Sequence, residues 1–306
     1  MEPHPPLLVL AGPTCCGKSE LALALCTGGG GEILCADSAV VYRGLDVGTA
    51  KPSAAERAAV PHHLLDVRDP AESFSVAEYR QLAAQSLAEV AARGRAALLV
   101  GGTGLYIRQV LEEPELPPVP PQPPLRAALQ ARPAAELFAE LAATDPAGAA
   151  RIHPHDTRRV IRALEVLAVT GSPISAQWRG RPQPDRQVCY LVLDRPREVL
   201  RQRIAARTEA MLEHGLVTEV QGLLAAGVPA SAQSLQALGY RQTVAYLEGA
   251  SDLAGLRAAI VAATAQYAKR QRTWWRREPV TAWLDLGDEP AVAALGRVRA
   301  LWAGTG

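Results

Sequence analysis

The 306-residue sequence predicts an α/β protein: a doubly wound parallel sheet with a phosphate loop after its first strand, interrupted by a helical insertion domain. Three observations carry that prediction. Residues 12–19 read Gly-Pro-Thr-Cys-Cys-Gly-Lys-Ser, a complete G-x-x-x-x-G-K-[ST] motif. Short apolar runs alternate with helix-period segments, the pattern of βαβ units. A segment with seven prolines in eleven residues, Pro114–Pro124, breaks the alternation, because proline cannot continue a helix and such a stretch is extended.

In chain order, Leu7–Ala11 is a short apolar run that reads as a buried parallel strand. The phosphate loop follows, and Lys18–Cys26 reads as the helix behind it. Backbone N–H groups of such a loop, with a helix N-terminus at their back, bind phosphate oxygens. On this reading Gly12, Pro13, Thr14, Cys15, Cys16, Gly17, Lys18 and Ser19 cradle a diphosphate or polyphosphate. Lys18 reaches the outer phosphates, and the Ser19 hydroxyl is a ligand for Mg²⁺.

Glu32–Ala36 is the second strand, Ser75–Arg93 a helix and Ala96–Val100 a third strand. A core domain over residues 1–113 ends there. Residues 114–187 form the insertion, with several helices over Leu125–Val169 and a Gly/Pro/Arg-rich return over Gly171–Arg186. Residues 188–306 complete the core, with a strand at Val188–Leu193, a helix at Arg197–Leu212 and further helices separated by turns near Gly227, Gly239 and Gly249.

Composition excludes several classes. Hydrophobic content is 48%, charged content 21% and net charge +1, so a nucleic-acid surface has to come from local clustering. The five cysteines are odd in number and contain no C-x-x-C pair, which excludes a disulfide framework or zinc ribbon and suits a reducing cytosol. There is no basic leader and no run of 18 apolar residues, so a cytoplasmic protein without a membrane span is expected.

Two strand ends carry chemistry. Asp37-Ser38 follows the second strand, and in an open α/β sheet the carboxyl ends of strands face the ligand crevice. Asp37 is therefore a candidate general base or Mg²⁺ partner, with an N-cap or turn role as the alternative. After the third strand comes Gly101-Gly102-Thr103-Gly104, where a hydrolysing phosphate-loop ATPase usually has an Asp. Glycine permits close backbone approach and Thr103 offers one hydroxyl. Basic residues cluster at Arg158, Arg159 and Arg162, at Arg201, Arg203 and Arg207, and in Tyr267–Arg277, where cations interleave with aromatic rings. That last pattern suits single-stranded or loop RNA, or else a solvated basic helix with Trp274 and Trp275 buried.

These motifs together resemble the tRNA dimethylallyltransferases. The matching stretches run from the phosphate loop through Asp37–Arg43, Asp46–Pro52, His62–Asp66, Gly101–Tyr106, Arg151–Pro154, Arg158–Val166 and Gly239–Arg241 to Lys269–Trp274. The resemblance implies transfer of a dimethylallyl group from dimethylallyl diphosphate to the exocyclic N6 amine of the adenosine 3′-adjacent to the anticodon, in tRNAs reading codons that begin with U. Diphosphate leaves and no ATP is hydrolysed.

It implies Asp37 as base, Thr103 near the diphosphate bridge, and Arg203 and Arg207 on the diphosphate. It also implies tRNA contacts at Asp37, Ser38, Ala39, Val40, Thr103 and Arg126, at Arg158, Arg159, Val160, Ile161 and Arg162, at Gly239, Tyr240 and Arg241, and at Lys269, Arg270, Gln271, Arg272, Thr273 and Trp274. Mg²⁺ is the implied cofactor, and the anticodon stem-loop and dimethylallyl diphosphate are the implied partners, with no obligate protein partner. The chain departs from the family pattern at Cys15 and Cys16, where small residues such as Ala and Ser are usual, at Val40, where many members have Gln, and at His155, where Asn is common. The rival readings are a phosphate-loop nucleotide kinase, an adenylate isopentenyltransferase and a non-catalytic RNA-binding module. The basic aromatic run, the insertion and the intact Lys18–Ser19–Asp37–Thr103 set, respectively, argue against them.

Overall fold

The computed structural model describes residues 7–112, 119–177 and 187–305. Part of the proline-rich segment (113–118) and much of the Gly/Pro/Arg-rich return (178–186) lie outside the described residues. The chain divides into one unit of Met1–Leu111 with Pro184–Gly306 and a second of Glu112–Gln183.

The first unit is built on a parallel sheet. Its strands are β1 (Leu7–Ala11), β2 (Glu32–Ala36), β3 (His62–His63), β4 (Ala97–Gly101), β5 (Val188–Asp194) and β6 (Ala282–Asp285), in spatial order β3-β2-β4-β1-β5-β6. The two edge strands, β3 and β6, add to the four that the apolar runs predict. β1 lies at the centre, with Ala11 opposite Gly101 of β4 and Val192 of β5.

Helices α1 (Lys18–Cys26), α2 (Ala54–Ala59), α3 (Val76–Ala92) and α4 (Gly104–Glu112) belong to the first half of the chain. Helices α5 (Pro123–Gln130), α6 (Ala134–Thr144), α7 (Pro146–Ala149) and α8 (Thr157–Thr170) make the insertion, and α9 (Arg197–Glu213), α10 (Leu216–Ala225), α11 (Tyr240–Leu247), α12 (Leu253–Trp275) and α13 (Leu295–Ala303) complete the core.

The strands are apolar on both faces because both faces are covered. Val9, Leu34, Leu99 and Val192 point into a large core shared with Tyr79, Tyr106, Tyr240 and Trp275. Leu8, Leu10, Ile33, Leu98 and Leu191 point into a second core with Leu21, Leu25, Leu200 and Val298. Gly101 is a spacing residue: a Cβ there would stand 2.0 Å from the Ala36 carbonyl oxygen on β2. The long α3 begins with a capping box, Ser75 and Glu78 each accepting the other's backbone N–H, which satisfies two donors that the first helical turn would otherwise leave unpaired.

The insertion has its own core of Leu129, Leu137, Leu141, Ile152, Val160, Ile161 and Leu164. Beside it lies a fully buried carboxylate, Glu165. It accepts from Arg126 Nε and Nη2 at 2.8 Å each, from Arg162 Nη1 at 2.6 Å and from Gln122 N–H at 2.7 Å. Burial alone would raise the Glu165 pKa. The charged hydrogen bonds outweigh burial and hold it at about 2.

Because the folded pKa is depressed, the stability this group contributes is complete above its unfolded pKa of about 4.3 and is lost as pH falls toward about 2. Amide protection in α5 and α8 is therefore expected to be flat from neutral pH down to about pH 5 and to decline below it. Glu165→Gln should lower the stability of the insertion by about 2–3 kcal/mol at pH 7. That is below the 3–5 of a fully buried orphan charge because both arginines reach water. Hydrogen exchange on the full chain measures both; unchanged protection in the variant would reduce Glu165 to a bystander.

Candidate active site

Parallel strands bring their carboxyl ends to one edge of the sheet, and three of them deliver residues that the motifs single out while a fourth delivers an arginine outside the motifs. The phosphate loop follows β1, Asp37 follows β2, Gly102-Thr103 follows β4, and Arg195 follows β5.

Positive φ angles shape the loop at Gly12 (143°), Cys15 (64°) and Gly17 (105°). A Cβ on Gly12 would lie 2.2 Å from the Leu193 carbonyl oxygen, so this position needs glycine for room as well as for φ. The Lys18 ammonium donates to the Gly12 and Pro13 carbonyls at 3.0 and 2.7 Å. The Cys15 carbonyl accepts from Arg203 Nε and the Cys16 carbonyl from Arg195 Nε, both at 2.9 Å. Thr14 N–H donates to Gln271 Oε1 at 2.8 Å. The Cys16 thiol is buried, and burial pushes its pKa up. Ser19 is exposed in the first turn of α1.

Asp37 folds back on its own loop. Its Oδ1 accepts from Ala39 N–H at 2.9 Å, and its Oδ2 makes no hydrogen bond among the described residues. Thr103 is tied to the same segment twice: its N–H donates to the Ala36 carbonyl at 3.0 Å, and its Oγ1 accepts from Ser38 N–H at 3.1 Å. Ser38 is exposed, while Val40 is buried and uses its carbonyl to accept from Asp66 N–H at 3.2 Å. Val40 thus offers no side chain to a ligand.

Helix α12 seals this region with an inner stripe of Tyr267, Gln271, Trp274 and Trp275, the spacing of one helix face. Gln271 Nε2 donates to the Gly102 carbonyl at 2.8 Å, and the Tyr267 hydroxyl approaches the same oxygen at 3.4 Å. Burial, with the negative charge of Asp37, pushes the Tyr267 phenol up to about 12, so it remains a neutral donor. Arg272 Nε donates to Asp194 Oδ1 at 2.9 Å.

Trp275 is fully buried against Tyr190, edge to face at 6.3 Å between centroids. Trp274 packs over Gly104, and the Arg108 guanidinium sits 4.3 Å above its ring. The aromatic members of the basic run therefore pack inward, whereas Lys269, Arg270 and Thr273 are exposed. In the insertion, Arg158 and Arg159 are exposed, Val160 and Ile161 are core residues, and Arg126 and Arg162 are held by Glu165.

The Gly239-Tyr240-Arg241 motif serves the loop that begins the Asp46–Pro52 stretch. Glu219 accepts from the N–H groups of Asp46, Val47 and Gly48 at 2.9, 2.7 and 3.3 Å and from the Tyr240 hydroxyl at 2.6 Å. Tyr240 is fully buried, Gly239 is the N-cap of α11 with φ 87°, and Arg241 is exposed. The next residue of that loop, Thr49, accepts from Arg207 Nη2 at 2.9 Å through its carbonyl. Of the two arginines expected at the diphosphate, Arg203 grips the phosphate loop and Arg207 the neighbouring loop. Lys51, its side chain almost fully covered, donates to Asp46 and Asp66 at 2.8 and 2.6 Å, so the Asp46–Pro52 and His62–Asp66 stretches brace each other. Sequence reasoning missed Arg195, Glu219 and Tyr267 as members of this network.

Comparison with known proteins identifies the family. The IPP transferase family model matches residues 40–278. The chain belongs to the IPP transferase family. It is 46% identical over 293 residues to tRNA dimethylallyltransferase 1 of Trichlorobacter lovleyi, covering 92% of this chain and 93% of that one. It is 47% identical over 315 residues to tRNA dimethylallyltransferase of Bordetella pertussis, covering 96% and 98%. Among solved structures, the tRNA isopentenylpyrophosphate transferase of Bacillus halodurans superposes with a TM-score of 0.75 at 36% identity, covering 98% of this chain and 96% of that one. A eukaryotic dimethylallyltransferase acting on tRNA superposes with a TM-score of 0.83 at 25% identity, over 96% of this chain and 77% of the other. No helix among the described residues is long and apolar enough to cross a membrane.

Glu219→Gln tests the loop network. An amide cannot accept on both ends, so one of the backbone donors at 46–48 faces an N–H₂ group. The expected cost is about 1–3 kcal/mol. Faster proteolysis within residues 44–52 should accompany it, and urea denaturation with mapping of the cleavage site measures the two together.

Proposed function

We propose that this member of the IPP transferase family moves the dimethylallyl group of dimethylallyl diphosphate to the N6 amine of the adenosine 3′-adjacent to the anticodon, in tRNAs that read codons beginning with U. The observation that carries this reading is the meeting of three groups at neighbouring strand ends. These are a phosphate loop with Lys18, a carboxylate with one uncommitted oxygen at Asp37, and a glycine–threonine turn where a hydrolase would hold an acid. The named activities of the relatives support it.

In the reaction the N6 nitrogen attacks C1 of the allyl group. The C1–O bond breaks with its electron pair passing to the diphosphate oxygen, and the amine proton passes to Asp37 Oδ2. Loop N–H groups and Lys18, which exchanges its two carbonyl partners for the ligand, neutralise the charge that develops on diphosphate. Thr103, with its oxygen already accepting from Ser38 N–H, keeps its hydroxyl proton to donate toward the bridging oxygen. The adenine must leave the anticodon stack to reach Asp37.

Among the described residues, no group of three or more His, Cys, Asp and Glu side chains could hold a metal ion. One exposed hydroxyl at Ser19 is the protein's donor. That set fits Mg²⁺, an ion that keeps several waters and is held largely through substrate phosphates. When bound, Mg²⁺ supplies charge neutralisation at the leaving diphosphate. The exposed cations Arg158 and Arg159 on α8, and Lys269 and Arg270 on α12, are the RNA grips; a cytoplasmic setting goes with this reading, because tRNA is the acceptor.

The decisive experiment is mass spectrometry of the nucleosides of unmodified tRNA after incubation with the protein, dimethylallyl diphosphate and Mg²⁺, without ATP. A dimethylallyl adenosine is expected; a strict ATP requirement would point to the kinase reading instead. Asp37→Asn keeps the shape and removes the proton acceptor. It should lower kcat on the order of 10²–10⁴ while tRNA affinity changes little. Wild-type turnover in that variant would return Asp37 to a turn residue.

Salt titration of tRNA binding addresses the grips. Arg158→Ala and Lys269→Ala should each reduce the slope of log affinity against log salt by roughly 0.7–0.9 for every phosphate that the side chain neutralises. Slopes equal to wild type would remove both residues from the RNA surface.

A further inference from the structure

Arg195 is the one arginine buried as a whole residue among those described, with 1% of its surface exposed. The buried carboxylates among the described residues are provided for: Glu32 is paired with Arg93 and His63, Glu165 with Arg126 and Arg162, and Asp145 accepts from the Gly148 and Ser175 N–H groups and the Ser175 hydroxyl. Arg195 is not. It forms no ion pair among the described residues, its Nε and Nη1 donate only to the carbonyls of Cys16 and Gly287 at 2.9 and 3.1 Å, and its Nη2 has no hydrogen-bond partner. The adjacent Asp194 does not compensate it, because Asp194 Oδ1 is shared between the Arg195 backbone N–H and the Arg272 guanidinium.

Burial and the neighbouring positive charge of Arg203 both disfavour the charged form of Arg195. Glu20 and Asp288 favour it more weakly. An arginine stays protonated regardless, so a charge stands buried and unpaired directly behind the phosphate loop. Its Nη2 lies 3.5 Å from the point where a Cβ on Gly17 would stand.

The peptide that Arg195 grips is the Cys16–Gly17 unit. In a planar trans peptide the carbonyl and the N–H point in opposite directions. Holding the Cys16 carbonyl toward Arg195 therefore turns the Gly17 N–H away from it, toward the side where a loop of this kind receives an anion.

We propose that Arg195 is a positioning residue for diphosphate: it fixes the Cys16–Gly17 peptide with its N–H toward the ligand, and the bound diphosphate is the counter-ion that its buried charge otherwise lacks. The proposal rests on the reading of the loop as a diphosphate site. It assigns that site a charge that does not touch the ligand and acts through one peptide group.

The test is calorimetric titration of inorganic pyrophosphate with Mg²⁺ into the full-length protein, with tRNA affinity measured alongside. Arg195→Met removes both charge and donors and should weaken pyrophosphate binding about 10- to 100-fold, the worth of a charge-assisted hydrogen bond. Arg195→Lys keeps the charge without the planar fork and should fall between wild type and Met. In turnover assays the KM for dimethylallyl diphosphate should rise in the same order.

Affinity for tRNA should stay within about twofold of wild type, a result that general loosening of the fold would not give. Should the Met variant not fold, the Lys variant decides alone: several-fold weaker pyrophosphate binding with unchanged tRNA affinity is expected, and wild-type pyrophosphate affinity overturns the proposal. Any order other than wild type, Lys, Met, or a parallel loss of tRNA affinity, overturns it as well. Wild-type protein that binds no pyrophosphate would instead refute the diphosphate reading of the loop itself.

Discussion

A phosphate loop works only if its peptide groups face one way, with N–H groups toward the anion and carbonyls away from it. The carbonyls cannot be left bare behind the loop, because buried acceptors need donors. In this protein Lys18 holds the Gly12 and Pro13 carbonyls from within the loop, and the donors to the Cys15 and Cys16 carbonyls are side chains from distant parts of the chain. Arg195 takes the Cys16 carbonyl from the end of β5, and Arg203 takes the Cys15 carbonyl from α9, 179 and 188 residues away in sequence. Gln271 in α12 accepts the Thr14 N–H across 257 residues. The second half of the core exists, in this sense, to hold the loop of the first half. The central place of β1, between β4 and β5, puts that loop where all of these segments can reach it.

The same amide of Gln271 joins two halves of the chemistry. Its oxygen holds Thr14 of the phosphate loop and its nitrogen holds the Gly102 carbonyl, one residue before Thr103. A Cβ on Gly102 would come within 2.3 Å of that nitrogen, so the glycine there serves the side chain of α12. An amide suits the task because it offers an acceptor and donors on one planar group. The outer face of the same helix carries Lys269 and Arg270, so a single rigid element links the exposed cations to both strand-end loops.

What was legible in the sequence was local. The four central strands are continuous apolar runs, and their predicted bounds agree with the structure to within a residue. The phosphate loop, Asp37 and Thr103 declare themselves by motif and by their place after a strand. The edge strands did not, because β3 is two residues long and β6 four, too short for a periodic signal. The basic aromatic run was harder to read, since rings among cations suit RNA as well as they suit an amphipathic helix. The spacing of Tyr267, Gln271, Trp274 and Trp275 was the available sign that the rings face inward. Arg162 and Glu165, three apart on α8, likewise carried a visible hint that the arginine was already engaged. Arg195 and Glu219 had no local sign, because a buried charge is defined by what surrounds it and their partners lie far away in sequence.

That division also explains how the loop accommodates Cys15 and Cys16. Neither side chain is asked to bind. Cys15 contributes a left-handed backbone at φ 64° and a carbonyl for Arg203, and Cys16 contributes a carbonyl for Arg195 and a thiol packed in the core beneath α1. A small side chain suffices at both positions because the working atoms are peptide atoms. Glycine is needed only at Gly12 and Gly17, where neighbouring atoms leave no room for a Cβ. The motif's constant positions are thus those set by backbone geometry and by the Lys18–Ser19 chemistry. Its variable positions are free because arginines from other segments, rather than their own side chains, hold the loop in shape.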